Sequence, residues 1–203
     1  MEEKNEIVVA DSKTNEKPIN KNSTYQITNF TPNNSNNIPD PDYPNRPYYL
    51  DGNELMKLER AEANFALKKK GIYRGVDQQV QVMKEESPIQ FEKNKLPRFF
   101  IQINDEDVDP YDIIDLCKAD KIGAGRRNFT FSGKTYGGRV KDVTGKIMQL
   151  DFKKIRKGLY EIIIAQELEQ GEYAFLPIGN SDNQLSSVNS VKANCFGVYD
   201  PNK

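Results

Sequence analysis

The sequence predicts an all-β protein: an antiparallel β-sandwich, immunoglobulin-like or of a similar Greek-key type, with a disordered or extended N-terminal arm. Three observations predict it. Short runs of β-branched and aromatic residues recur from Val80 to Tyr199, separated by Gly-, Asn- and Ser-containing turns. Within several runs apolar and polar residues alternate, the period of a strand with one buried face. The first 47 residues carry only two short apolar islands, Ile7–Ala10 and Tyr25–Ile27, and are dominated by Asn, Lys, Ser, Thr and Pro. Their apolar surface is too small to offset the entropy of ordering. The expected division is therefore an arm over 1–47, a hairpin or short helical connector over 48–76, and the β-sandwich over 77–203.

Taken in order, the arm ends in Ile38-Pro39-Asp40-Pro41-Asp42-Tyr43-Pro44-Asn45-Arg46-Pro47, whose prolines favour extended backbone and remove donors. Asp51-Gly52 is a hairpin signal between two partly apolar runs. Beyond it, Leu55, Leu58, Glu62 and Phe65 follow helical spacing in a segment of helical propensity. Asn53 would cap this segment and Gly71 would stop it. A short hairpin followed by a helical or irregular polar stretch is expected here. Val80–Met83, Pro88–Phe91, Phe99–Ile103, Ile113–Leu116, Arg127–Phe131 and Ile147–Phe152 then read as strands, with Phe99–Ile103 central. Leu159–Ile164 and Glu172–Phe175 read as two antiparallel strands joined by a tight polar connection ending at Gly171. Ala193–Tyr199 closes the domain. The aromatics Phe99, Phe129, Phe131, Tyr160, Tyr173, Phe175 and Phe196 fall at strand spacing, as core residues do.

Composition removes several chemistries. The 203 residues include no histidine, so no Ser-His-Asp triad, Cys-His pair or histidine metal site can be built. The two cysteines, Cys117 and Cys195, are too few for a tetrahedral zinc site. One disulfide and two buried thiols both fit. Tryptophan is absent, which weakens a carbohydrate-stacking role. Net charge is −1, from 29 basic and 30 acidic residues, and gives no field favouring nucleic acid. No apolar run reaches the roughly 20 residues of a membrane helix. Met1 is followed by Glu-Glu-Lys-Asn-Glu, without an apolar signal region. An intracellular or assembly-associated protein is expected at face value, and an exported one if a leader has been removed.

The remaining motifs are weak. Asp105, Asp107 and Asp109 occupy the first alternating ligand positions of an EF-hand loop, but Pro110 stands where glycine is needed and Leu116 where the closing Glu should be. They are the calcium candidates, against a solvated acidic loop. Ser132-Gly133-Lys134-Thr135 ends like a phosphate-binding loop, but Asn128 replaces its first glycine and no helix follows. Lys68–Lys70, Arg126-Arg127 and Lys153–Lys157 read as solvated turns and strand ends. Asp109, Asp112 and Asp115, or Glu167, Glu169 and Glu172, are the carboxylates a glycosidase pair would draw on.

Five pieces in this order resemble a group of uncharacterised bacterial β-rich proteins, many of them exported. They are Leu58-Glu59-Arg60-Ala61, Ser87–Phe91, Phe99–Ile103 leading to Val108-Asp109-Pro110, Gly171–Phe175, and Cys195–Asp200. The resemblance covers about residues 48–200 and implies one β-sandwich-like domain without catalytic residues to carry over. The function expected is a non-enzymatic structural or protein-interaction module with no cofactor. Its arm would dock on a protein partner or a second copy through Ile7, Val8, Val9, Tyr25, Ile27, Tyr43, Tyr48 and Tyr49. The alternative is a ligand-binding domain for a glycan or a calcium-dependent contact at the cell surface or in the periplasm.

Overall fold

Alternation along the strands sorts side chains onto two faces, and here both faces of several strands find apolar partners. The computed structural model describes residues 38–69, 76–105, 107–134, 147–178 and 190–203, all within one compact unit. The strands are β1 (Pro47–Asp51), β2 (Glu54–Lys57), β3 (Glu59–Lys69), β4 (Val76–Met83), β5 (Gln90–Glu92), β6 (Phe99–Gln102) and β7 (Ile114–Lys118). After them come β8 (Lys121–Gly123), β9 (Arg126–Lys134), β10 (Ile147–Met148), β11 (Leu150–Arg156), β12 (Leu159–Ile164), β13 (Gly171–Pro177) and β14 (Ser190–Tyr199). A single 3-10 turn, Pro110–Asp112, is the only helical element among the described residues. No described helix is long and apolar enough to cross a membrane.

The protein is all-β and sandwich-like, as its sequence predicts. A five-stranded sheet has the order β11-β12-β6-β1-β2, with β6 central. A nine-stranded sheet runs β10-β7-β13-β14-β3-β4-β9-β8, and β5 joins it on β14. The β5–β14 pairing is parallel and every other described pairing is antiparallel.

Between the sheets lies an aromatic core. Phe99 of the first sheet meets Phe175 and Phe196 of the second at ring-centroid distances of 5.5 and 5.2 Å, and Tyr173 stacks on Phe196 at 5.5 Å. Each such buried ring contributes roughly 1.5–3 kcal/mol by the area it removes from water. On the opposite face of the second sheet, Ala63, Val80, Val82, Cys117, Phe129, Ala174, Leu176, Ala193 and Cys195 form a separate cluster. Cys117 of β7 and Phe129 of β9 lie far apart in the strand order yet share it, and β7 touches β9. The nine-stranded sheet therefore curls into a half-barrel around these residues. Three alanines and two cysteines on the inside of the curl supply the small side chains that tight curvature needs.

The structure corrects several expectations. Glu59–Lys69 is an eleven-residue strand between β14 and β4, not a helical or irregular stretch. With the β1–β2 hairpin in the other sheet, residues 47–69 belong to the domain itself and do not form a connector. β12 and β13 do not pair: β12 joins β11 and β6, whereas β13 joins β7 and β14 in the opposing sheet. The single strand expected over Ile147–Phe152 likewise divides at Gln149, with β10 in one sheet and β11 in the other.

Candidate functional site

A proline-rich strap crosses the outer face of the five-stranded sheet. Prolines at 39, 41 and 44 cannot donate to a ladder, so this segment lies over strands and not among them. Ile38 is buried against Phe100 and Leu159, with Leu50, Leu55 and Ile155 around it. Arg156 of β11 donates through Nη1 to the Ile38 carbonyl at 2.8 Å and through Nη2 to Asp40 Oδ1 at 2.5 Å. Asp42 pairs with Lys57 of β2 at 2.5 Å, and this bond raises the Lys57 ammonium above its ordinary pKa. The Tyr43 amide donates to Tyr48 Oη at 3.1 Å and the Asn45 amide to the Gln102 carbonyl at 2.7 Å. β11 and β2 are the two outermost strands of this sheet. The strap thus runs from one edge to the other, with Ile38 beside β11. Below the strap, Arg98 grips Glu161 with bonds of 2.6 and 2.9 Å while lying over the Phe100 ring. The bonds to Glu161 raise the Arg98 pKa.

The residues expected to meet a partner separate into three groups. Ile7, Val8, Val9, Tyr25 and Ile27 lie outside the described residues. Tyr43 is exposed on the strap, with Lys57 Nζ 5.3 Å from its ring centre. Tyr48 and Tyr49 are structural in this fold. Tyr48 is 1 % exposed, and Tyr49 packs edge-on against Phe91 at 5.0 Å. Both are strand residues of β1, so alternation turns one ring to each face of the sheet.

Among the described residues, the outermost strands of the two sheets are poorly suited to adding a strand. β2, β8 and β10 have four, three and two residues. The longest edge strand, β11, carries Lys153, Lys154 and Arg156 and a register break between the last two. Charges and bulges of this kind deter edge pairing.

The calcium candidates are partly occupied by their own loop. Asp105 Oδ1 accepts from the Asp107 amide at 3.1 Å, and Asp109 Oδ1 accepts from the Tyr111 amide at 3.0 Å, capping the 3-10 turn. Asp107, Asp109 and Asp112 border a cavity of about 490 Å³ together with Asn45, and Asp105 is not in its wall. Among the described residues no three His, Cys, Asp or Glu side chains are grouped to hold a metal ion. Asp115 lies apart on β7 with its pKa raised by burial. Of the other carboxylates considered, Glu167 and Glu169 are exposed partners of Lys93 and Lys118, and Glu172 is buried.

Glu172 belongs to a polar cluster that sequence patterning misses. Arg127, one half of the Arg126-Arg127 pair expected in a solvated strand end, is 0 % exposed. It donates to Glu172 at 3.0 Å and to both oxygens of Glu59 at 3.1 and 2.8 Å. Glu172 also accepts from the Ser87 amide at 2.8 Å and from Gln90 Nε2 at 2.9 Å. Gly197 lets Gln90 reach it, since a Cβ there would stand 2.1 Å from the Gln90 amide. The partners on Glu172 come from two distant stretches, Ser87 and Gln90 from one and Arg127 from the other, so the cluster ties β13 to both.

Cys117 and Cys195 are free and buried. Each sits directly opposite Ala174, from either side. Two strand spacings put their Cα atoms about 10 Å apart, beyond the roughly 7 Å limit for a disulfide.

No protein-family model, curated protein or solved structure matches the chain.

Proposed function

We propose that the chain is a non-enzymatic structural or interaction module, and that residues 1–37 engage a protein partner or a second copy. The observation that carries this reading is the strap. Arg156, Lys57 and the Ile38 seat fix residues 38–42 on the outer face of the smaller sheet, with Ile38 beside β11. A fixed anchor gives the segment that precedes it a higher effective concentration at neighbouring surfaces than a free tail has. Cross-linking of material isolated from its source tests the reading. Cross-links from Lys4, Lys13, Lys17 or Lys21 to another chain are expected. Links confined to the same chain would count against it.

A second reading is favoured by the cavity that Asp107, Asp109 and Asp112 border. It is a ligand-binding domain for a glycan or a calcium-dependent contact. A ligand of the native state raises Tm by mass action, so an unchanged Tm across calcium and a glycan panel would set it aside.

A further inference from the structure

We infer that the strap is exchangeable: the seat on the outer face of the five-stranded sheet also receives residues 38–42 of a second copy. The inference rests on the reading above only in treating the N-terminal region as the element of assembly. The seat is apolar at Phe100 and Leu159, and it is flanked by Arg156 at one edge and Lys57 at the other. An occupant must bring an apolar side chain followed by two acidic ones spaced to reach both cations. The sequence Ile38-Pro39-Asp40-Pro41-Asp42 supplies that pattern, with prolines holding the backbone extended. Every copy of the chain carries both the pattern and the seat.

The attachment also suits release. Ile38 and Pro41 are buried, but the strap's charged contacts are ion pairs whose acidic side chains are largely exposed, Asp40 at 82 % and Asp42 at 60 %. Such pairs contribute little and weaken with salt. At the base of the strap Asn45 holds φ at 54°, a left-handed conformation for a residue with a side chain, between Pro44 and Pro47. A hinge under this constraint can open without breaking a strand. Exchange of an identical element reuses the native contacts, so it needs no new surface.

Charge exchange tests it on the full chain. Arg156→Glu and Asp40→Lys each place like charges at the seat, both within one copy and between two copies of the same variant. Mixed, the two variants restore an opposite-charge pair at both seats of an exchanged dimer. Native mass spectrometry after gentle warming is expected to show each variant alone as a monomer and the mixture as a dimer of one of each. Lys57→Glu with Asp42→Lys is an independent pair at the opposite edge, with the same expectation. A mixed dimer from either pair upholds the inference, and monomers from both overturn it. Partner cross-links from residues 1–37 do not depend on this outcome, so the two readings fail separately.

Discussion

Arg127 Nη1 donates to Glu172 Oε2 at 3.0 Å inside the domain, with the arginine wholly enclosed and the carboxylate 6 % exposed. Removing one member of such a pair leaves the other charged and buried. Arg127→Met is expected to destabilise the fold by roughly 3–5 kcal/mol. Glu172→Gln keeps a hydrogen-bonding side chain in place and is expected to cost less. Urea denaturation of the two variants checks the order. Equal, small effects would mean that the cluster does not hold the strands.

The thiols predict an alkaline limit. Burial, joined at Cys117 by the Asp115 carboxylate, pushes Cys117 and Cys195 from an ordinary 9.0 up to about 12. The fold keeps these protons where the unfolded chain has lost them. Their contribution is therefore whole below pH 9 and is lost as pH rises from 9 towards 12. Tyr173, pushed from 10.0 to about 12 chiefly by burial, acts in the same direction. Stability measured by urea is expected to fall with pH above 9. Cys117→Ala is expected to flatten that slope by up to about 1.4 kcal/mol per pH unit. A thiol reagent at pH 8 is expected to label neither cysteine before unfolding and both after it.

Gly158 predicts a local weak point. It turns β11 into β12 at φ +71°, and an added Cβ would stand 2.8 Å from the Ile103 carbonyl oxygen. The Gly158 carbonyl also accepts from the Ile103 amide at 2.7 Å. Gly158→Ala is expected to cost about 1–3 kcal/mol from the left-handed backbone and the crowding together, read as a lowered urea midpoint. Gly52 has the same handedness but open space around it. Gly52→Ala should therefore cost less than Gly158→Ala.

Much of the fold was legible because the strands that carry it obey simple patterns. Phe99–Gln102 has the continuous apolar character of a central strand and is one. Arg127–Phe131 alternates and lies in β9, which pairs with β4 along its length and with β8 at Arg126–Asn128. β3 was illegible because its Ala, Glu, Leu and Lys residues favour a helix, while pairing with β14 and β4 overrides that preference. Ala61 and Ala63 serve the inside of the curl, which no local pattern announces. Leu159–Ile164 and Gly171–Pro177 look like a hairpin because they are neighbours in sequence. Their residues instead face one another across the core, Ile162 from one sheet and Tyr173 from the other. At the candidate site, Asp40 and Asp42 read as linker residues, since only the fold brings Arg156 and Lys57 to them. Arg127 read as solvated because its partners Glu59 and Glu172 lie 68 and 45 residues away.

The proposal that the N-terminal region is held by another molecule is tested by limited proteolysis with mass spectrometry. The isolated recombinant chain and material from the native source would be digested side by side. Cleavage within residues 1–37 of the recombinant chain, with protection of the same bonds in the native material, is the result predicted. Equal cleavage in both would contradict the claim and make the region a linker.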